Sequence, residues 1–204
     1  MKPALVANER DDEDFLAGCR AGDPEALDRF FRAYSDRVER AIGRLVGPTP
    51  DLEDMVQTTF VEAMSAFRRF RGEASLATWV TRIAVHVAQH QLRRGMRRHL
   101  PLELLTAVEE AVDPSRAPDL TLSDRQLAAR LHGLLDLIKP PKRIAFVLYA
   151  LEGYTVEEVA ALTASSRAAT KSRIWFARRE LLQLVHRDEL LRELAGSVKT
   201  ERDP

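Results

Sequence analysis

Cysteine, aromatic residues and long apolar runs are all scarce in this sequence of 204 residues. The single cysteine, Cys19, excludes an internal disulfide framework and a cysteine-rich zinc site. No apolar stretch approaches the roughly 18 uncharged residues that a membrane span needs. The first ten residues also lack the apolar core of a secretory signal. These absences predict a cytoplasmic protein with no membrane insertion.

Alternating Val, Ile and Thr of the kind that builds strands is also missing, whereas apolar residues recur at three- and four-residue steps. The sequence therefore predicts an all-α fold. We expect a break near Gly22-Asp23-Pro24 and another at Pro140-Pro141, because glycine and proline interrupt helices. The predicted helices cover residues 12–46 on either side of the first break, 51–67, 75–94, 120–138, 142–151, a short segment after Thr155, and 167–186.

Weak periodicity and several prolines separate two helical regions. Between residues 99 and 119 the prolines and acidic residues are typical of a flexible linker, with one short helical turn predicted at 102–112. The predicted architecture is therefore two small helical domains, 10–98 and 120–190. They lie between an N-terminal tail, 1–9, and a C-terminal tail, 191–204.

Charge is sorted along the chain, although the formal net charge is +0. The segments 68–98 and 167–187 are rich in arginine, and the intervening segment 101–124 is acidic. Two basic blocks on either side of an acidic spacer indicate two separate contacts with a polyanion.

The C-terminal region carries a helix-turn-helix pattern. Thr155 and Glu158 form a predicted capping box for a short helix, and a tight turn leads from it to a basic helix. In such motifs the start of the second helix enters the major groove of DNA. A solvated basic helix in an ordinary bundle is the alternative. The residues predicted to contact duplex DNA are Ser166, Arg167, Thr170, Lys171, Ser172, Arg173 and Trp175.

A second polar surface is predicted in the N-terminal region. On helix 75–94 a stripe of cations and histidines lies beside an arginine-rich loop, an arrangement that suits single-stranded nucleic acid. The candidate residues are Arg69, Phe70, Arg71, Gly72, Arg82, His86, His90 and Arg93. The spacing of His86 and His90 also permits metal binding, but no third ligand is evident in the sequence. We therefore expect neither a metal nor a cofactor.

Two stretches carry a resemblance to a known family. The segments 51–60 (DLEDMVQTTF) and 67–84 (FRRFRGEASLATWVTRIA) resemble conserved region 2 of bacterial sigma-70 factors, most closely the extracytoplasmic-function (ECF) group. The segments 157–160 (EEVA) and 170–173 (TKSR) resemble region 4 of the same group. Ala164 stands where the family's turn has glycine, and Phe176 stands where an arginine is frequent.

The resemblance implies a non-enzymatic subunit that directs core RNA polymerase to promoters. Residues 69–94 would read and melt the −10 element as single-stranded DNA, and the helix from Ser166 would read the −35 element as duplex. The other implied partners are the β flap of the polymerase and an anti-sigma factor. The side chains that would contact the β′ clamp helices are Asp51, Glu53, Asp54, Gln57 and Phe60. Helix capping is a second role open to Asp51.

Three other functions stay open at this stage. A helix-turn-helix regulator would bind duplex DNA as a dimer without polymerase. A sigma mimic would instead sequester an anti-sigma factor. A helical metallohydrolase would use His86 and His90 and would contain bound metal.

Overall fold

The computed structural model describes residues 13–97 and 122–188, and the regular elements in these two stretches are all helices. The all-α prediction is therefore confirmed. The N-terminal helices are α1 (Glu13–Ala21), α2 (Pro24–Val46), α3 (Leu52–Ala66) and α4 (Leu76–Arg97). The C-terminal helices are α5 (Leu122–Asp136), α6 (Pro140–Phe146), α7 (Val156–Leu162) and α8 (Arg167–Arg187). The predicted tails and the linker with its helical turn lie outside the described residues.

Side-chain caps fix where four of the helices begin. Asp23 accepts a hydrogen bond from the N–H of Ala26 at the start of α2, where proline occupies the first turn. Ser75 accepts from the N–H of Thr78 at the start of α4. The capping box of Thr155 and Glu158 opens α7, and Ser166 caps α8.

The predicted break at Pro140-Pro141 is wrong in one respect. Both prolines belong to the first turn of α6, where a missing N–H costs nothing and the fixed φ suits a helix. The helix then continues as a π-helical turn, Val147–Leu151, and ends at Glu152. The sequence therefore identified the interruption correctly but not that the prolines start the next helix.

Phenylalanine rings form the centre of the N-terminal helices. The ring of Phe30 on α2 lies 5.5 Å from that of Phe60 and 4.8 Å from that of Phe67. Trp79 on α4 packs against Phe67 at 5.0 Å and against Phe70 at 4.9 Å. These tilted and edge-on pairs, each favourable for aromatic quadrupoles, join α2, α3 and α4 around one core.

Two of the predicted site residues belong to this core. Phe60 is 3% exposed and Phe70 is 7% exposed, so neither presents its ring to a partner. The expectation that they contact clamp helices or unstacked bases directly is therefore corrected. The residues near Phe60 and Phe70 in the chain include exposed charged side chains. The two rings themselves point into the core, because their burial removes large apolar areas from water.

The second cluster of buried residues includes side chains from both halves of the chain. Leu45 of α2 and Val85 and Ala88 of α4 are buried together with residues of α5–α8. On α8, Ala177 is fully buried, and three partly buried residues at helical spacing from it pack on the same cluster (Ile174, Leu181 and Leu184). The N-terminal and C-terminal helices therefore share one hydrophobic contact.

Ala164, in the turn between α7 and α8, provides a test of local strain. Its φ is 48°, a left-handed conformation that costs an L-residue about 1–2 kcal/mol. Ala164→Gly should raise the free energy of unfolding by about 0.5 kcal/mol, because glycine relieves the strain but loses more chain entropy on folding. Gly22→Ala is the matched control, because Gly22 has φ 80° with open space around it and the change should destabilise. Urea unfolding measures both, and a destabilising Ala164→Gly would contradict the strain.

A second prediction concerns Phe70. Phe70→Ala should lower the free energy of unfolding by about 3 kcal/mol, since the truncation leaves a cavity beside Trp79. The adjacent, exposed Arg71 provides the control, because Arg71→Ala removes no buried contact and should change stability by less than about 0.5 kcal/mol. Equal stability of the two variants in urea unfolding would show that the Phe70 ring is not part of the core.

Candidate nucleic-acid interface

A network of hydroxyl groups fixes the turn between α7 and α8. Thr163 Oγ1 donates to the carbonyl of Val159 at 2.7 Å, and the hydroxyls of Thr163 and Ser165 lie 2.8 Å apart. The Ser165 hydroxyl also lies 2.9 Å from that of Thr170. Because these contacts tie both helices to the turn, the angle between α7 and α8 is set within the motif.

The start of α8 presents part of the predicted duplex-binding set to solvent. Arg167, Lys171 and Ser172 are exposed, and Arg173 is half-buried. Thr170 is fully buried and donates to the carbonyl of Ser166, so it is corrected from a DNA contact to a structural residue. The exposed side chains at this helix start are those expected to reach phosphates and base edges.

Arg167 has a partner within the motif. Its Nε lies 2.6 Å from Oε1 of Glu157 on α7, and both side chains are more than half exposed. Such a surface ion pair contributes little to stability. The pair therefore holds the guanidinium beside the helix start while leaving it accessible to an incoming phosphate.

Two aromatic rings continue this surface along α8. Trp175 is 55% exposed and Phe176 is 43% exposed, and the rings meet edge-on at 4.9 Å. The guanidinium of Arg179 lies over Trp175, and the ammonium of Lys142 lies over Phe176. Trp175 follows Lys171 by one helical turn and shares its face, as the sequence predicts. Phe176 was predicted only as a departure from the family pattern, and the structure adds it to the exposed surface.

The predicted stripe on α4 is present as a solvent-facing row. Arg82, His86, His90 and Arg93 are all exposed along one side of the helix. Nδ1 of His86 lies 3.9 Å from Oε2 of Glu62 on α3. Among the residues that the structure describes, no group of three or more histidine, cysteine or acidic side chains is arranged to hold a metal ion.

The loop before α4, residues 70–75, is fixed by contacts with α1 and with Trp79. Nη2 of Arg20 on α1 donates to the carbonyl of Phe70 at 3.1 Å, and the Phe70 ring anchors the loop to Trp79. Arg69 and Arg71 point to solvent on either side of this anchor, and Gly72 has φ 73°. The loop thus presents two cations beside the stripe on α4.

The first two turns of α3 form an acidic surface. Glu53, Asp54 and Gln57 are exposed. Asp51 makes no side-chain cap at the start of α3, and its carboxylate instead accepts from Nε2 of Gln91 on α4 at 2.6 Å. The capping role left open for Asp51 is therefore not the one the structure shows. Asp51 and Asp54 line a groove between α3 and α4 that also contains His86 and His90.

Two polar residues in this groove were not predicted from the sequence. Glu62 and Gln91 connect the acidic surface of α3 with the stripe on α4. Glu62 follows Asp54 by eight residues, which places both on one helical face, so helical spacing was the signal that could have found it. No pattern in the sequence indicates Gln91, because its hydrogen bond to Asp51 depends on how α3 and α4 pack.

No helix in the described parts of the chain is both long and apolar enough to cross a membrane.

The chain is similar to bacterial sigma factors over most of its length. Residues 30–98 match the family model described as Sigma-70 region 2. The RNA polymerase sigma-H factor of Pseudomonas aeruginosa is 26% identical over 181 residues, which cover 85% of this chain and 93% of the relative. The ECF RNA polymerase sigma-E factor of Escherichia coli K12 is 27% identical over 180 residues, with the same coverage of both chains.

Two solved structures share the fold. CnrH, in complex with the cytosolic domain of CnrY, superposes with a TM-score of 0.58 at 24% identity, over 87% of this chain and 99% of that one. The sigma factor RpoE of Bartonella quintana, in complex with the anti-sigma factor NepR, superposes with a TM-score of 0.55 at 21% identity. The match covers 79% of this chain and 98% of that one. The region 2 match and the relatives that span most of the chain make this protein similar to the sigma-70 transcription initiation factors of the extracytoplasmic-function group.

Proposed function

We propose that this protein is a sigma factor, which binds core RNA polymerase and directs it to promoters through two separate DNA contacts. The exposed start of α8, in a rigid helix-turn-helix, is the observation that carries the proposal. There Lys171 and Ser172 point to solvent in the position from which such helices read the major groove, and so contact the −35 element as duplex. The polymerase supplies all the catalysis, and the sigma factor supplies promoter choice.

The stripe on α4 and the loop before it are the proposed contact with the −10 element. Arg82 and Arg93 would follow the backbone of the melted strand, because their charges lie along one helical face. A flipped base would be received beside the loop carrying Arg69 and Arg71, which the buried Phe70 holds in place. Stabilising an unpaired base in this way offsets part of the energy of melting.

The acidic surface of α3 is the proposed contact with the β′ clamp helices. Glu53, Asp54 and Gln57 are exposed, and Asp51 is fixed in the adjacent groove by Gln91. Phe60 supports this surface from the hydrophobic core. Under this proposal residues 10–98 form the polymerase- and −10-binding domain, and residues 120–190 form the −35-binding domain, which also contacts the β flap.

The partners of the structural relatives extend the proposal. CnrH was solved with the cytosolic domain of CnrY, and RpoE of Bartonella quintana with the anti-sigma factor NepR. We therefore propose that an anti-sigma factor also binds this chain, and that it acts in the cytoplasm where core polymerase is found. A dimeric helix-turn-helix regulator would leave the region 2 match without a role.

Removing the two cations at the start of α8 tests the duplex contact. Arg167→Ala with Lys171→Ala should weaken binding of the holoenzyme to its promoter by at least roughly 30-fold, since the two lost contacts cost about 1–3 kcal/mol each. Binding to core polymerase should not change. Glu157→Ala is the control, because it removes only the internal partner of Arg167. Loss of core binding by the double variant would mean that α8 is a polymerase surface.

Charge reversal on α3 tests the polymerase contact. Glu53→Lys with Asp54→Lys should reduce the affinity for purified core polymerase by at least roughly tenfold, because two attractive charges become repulsive. The control is Glu25→Lys, an exposed acid in the first turn of α2 whose reversal carries a similar cost at the helix N-terminus. Fluorescence anisotropy with labelled sigma factor measures both. Unchanged affinity of the α3 variant would place the polymerase contact elsewhere.

A further inference from the structure

Helix α1 packs closely against the start of α2. A Cβ on Gly18 would come within 2.9 Å of the Cβ of Ala26, so the two helices approach as closely as a glycine allows. The next residue, Cys19, is 2% exposed, and its thiol donates to the carbonyl of Ala26 at 3.7 Å. The guanidinium of Arg29 lies over the ring of Phe15, 4.7 Å from its centre. Because these contacts are spread along α1, the helix has a defined position on α2.

Arg20 connects α1 with the loop before α4. Its side chain is exposed, and its Nη2 donates to the carbonyl of Phe70 at 3.1 Å. Hydrogen bonds from a charged donor are roughly twice as strong as those between neutral groups. The ring of Phe70 packs against Trp79. Phe70 is therefore held from two sides, by the core at its ring and by α1 at its carbonyl.

The hydrogen bond from Arg20 fixes the direction in which the loop leaves the core. The Phe70 carbonyl belongs to the planar peptide group that joins Phe70 to Arg71, so a partner on this oxygen orients the whole group. Residues 71–74 are exposed, and Gly72 has φ 73° with open space around it. A segment with no buried side chain of its own takes its position from its two ends. Those ends are Phe70 and the residue that caps α4, Ser75.

From these contacts we propose that α1, through Arg20, sets the base selectivity of the loop that receives a flipped base of the −10 element. The inference rests on the proposed function. A loop can tell one unstacked base from another only while its polar groups are held in place, and a displacement of about 1 Å removes much of the gain. Arg20 is thus a positioning residue, which acts on the base through the peptide group between Phe70 and Arg71.

A direct contact between Arg20 and a phosphate is the alternative, because the side chain is exposed beside a basic loop. The two roles predict different losses. A lost phosphate contact weakens binding about equally for all sequences and reduces the salt dependence by about one counterion. A displaced loop weakens binding of the preferred base most and leaves the salt dependence unchanged.

Holoenzyme assembled from purified core polymerase and the full chain would first select its own templates. In a duplex library with randomised −35 and −10 elements, the sequences enriched among transcribed templates give the preferred base at each position. Fork-junction DNA, double-stranded upstream and single-stranded over the −10 element, then measures the affinity of the holoenzyme for each base at each −10 position.

Arg20→Ala should flatten the base preference at one −10 position or at two neighbouring ones. The affinity ratio between the preferred base and the others should fall there by roughly three- to tenfold, because displaced groups lose their selectivity. The affinity for core polymerase, the −35 preference and the salt dependence should equal those of the parent. Arg32→Ala is the matched control, since Arg32 is an exposed arginine of α2 that pairs with Asp28 on its own helix at 2.8 Å. It should change none of these quantities.

A second variant displaces Arg20 without removing it. Gly18→Ala places a methyl group against Ala26, so α1 must shift on α2, and the same base preference should fall. Adding Ala26→Gly removes the opposing methyl group and should return the preference toward that of the parent. Neither change alters a charge or a residue of the proposed DNA surfaces.

Amide hydrogen exchange tests the contact in the free chain. The N–H of Phe70 donates to the carbonyl of Phe67 at 3.0 Å, and this bond breaks when the start of the loop opens. Exchange of the Phe70 amide should be several-fold faster in Arg20→Ala and Gly18→Ala than in the parent and in Arg32→Ala. Equal exchange in all four chains would show that α1 does not fix the loop.

The outcomes separate the positioning role from the proposed function. Unchanged base preference in Arg20→Ala would overturn the positioning role. A uniform loss of affinity with a smaller salt dependence would also overturn it, in favour of the phosphate contact. A parent chain that does not bind core polymerase would overturn the proposed function, and the exchange of the free variants would still decide whether Arg20 fixes the loop.

Discussion

The C-terminal end of α2 is the point on which both halves of the structure depend. Through Phe30 this helix occupies the centre of the phenylalanine core, and through Leu45 it enters the second cluster. Its last carbonyls need partners that the helix cannot supply. Arg143 supplies one from the other half of the chain. A helix at the centre of the N-terminal half is thus completed by a residue from the half that carries the helix-turn-helix.

Much of the fold could be predicted from local signals. Capping residues such as Asp23, Ser75 and Thr155 act within one helical turn, so the sequence around them specifies where helices begin. Proline at the start of α6 was harder to interpret, because the same residue that stops one helix is also favoured in the first turn of the next. The contact between the two halves gave no sequence signal, since its residues are far apart in the chain.

The candidate interface was predicted well where charge alone decides exposure. Lys171, Arg82 and Asp54 are hydrophilic, and each lies at the surface. Thr170 and Phe70 were misplaced because a sequence motif does not state how deeply each of its side chains is buried. A threonine hydroxyl satisfied by Ser165 and Ser166 can be buried at little cost, and helical spacing does not reveal those partners.

The ion pair between Glu157 and Arg167 has a consequence for how DNA binding responds to salt. A free cation that neutralises a phosphate releases about one condensed counterion, which makes affinity fall steeply as salt rises. Arg167 already has a carboxylate beside it at 2.6 Å, so in the proposed contact a phosphate would share the guanidinium with that carboxylate. Rising salt weakens the internal pair and the phosphate contact together, and the two effects oppose each other. Under the proposed function, the salt dependence of promoter binding would therefore indicate fewer phosphate contacts than the number of exposed cations on α8.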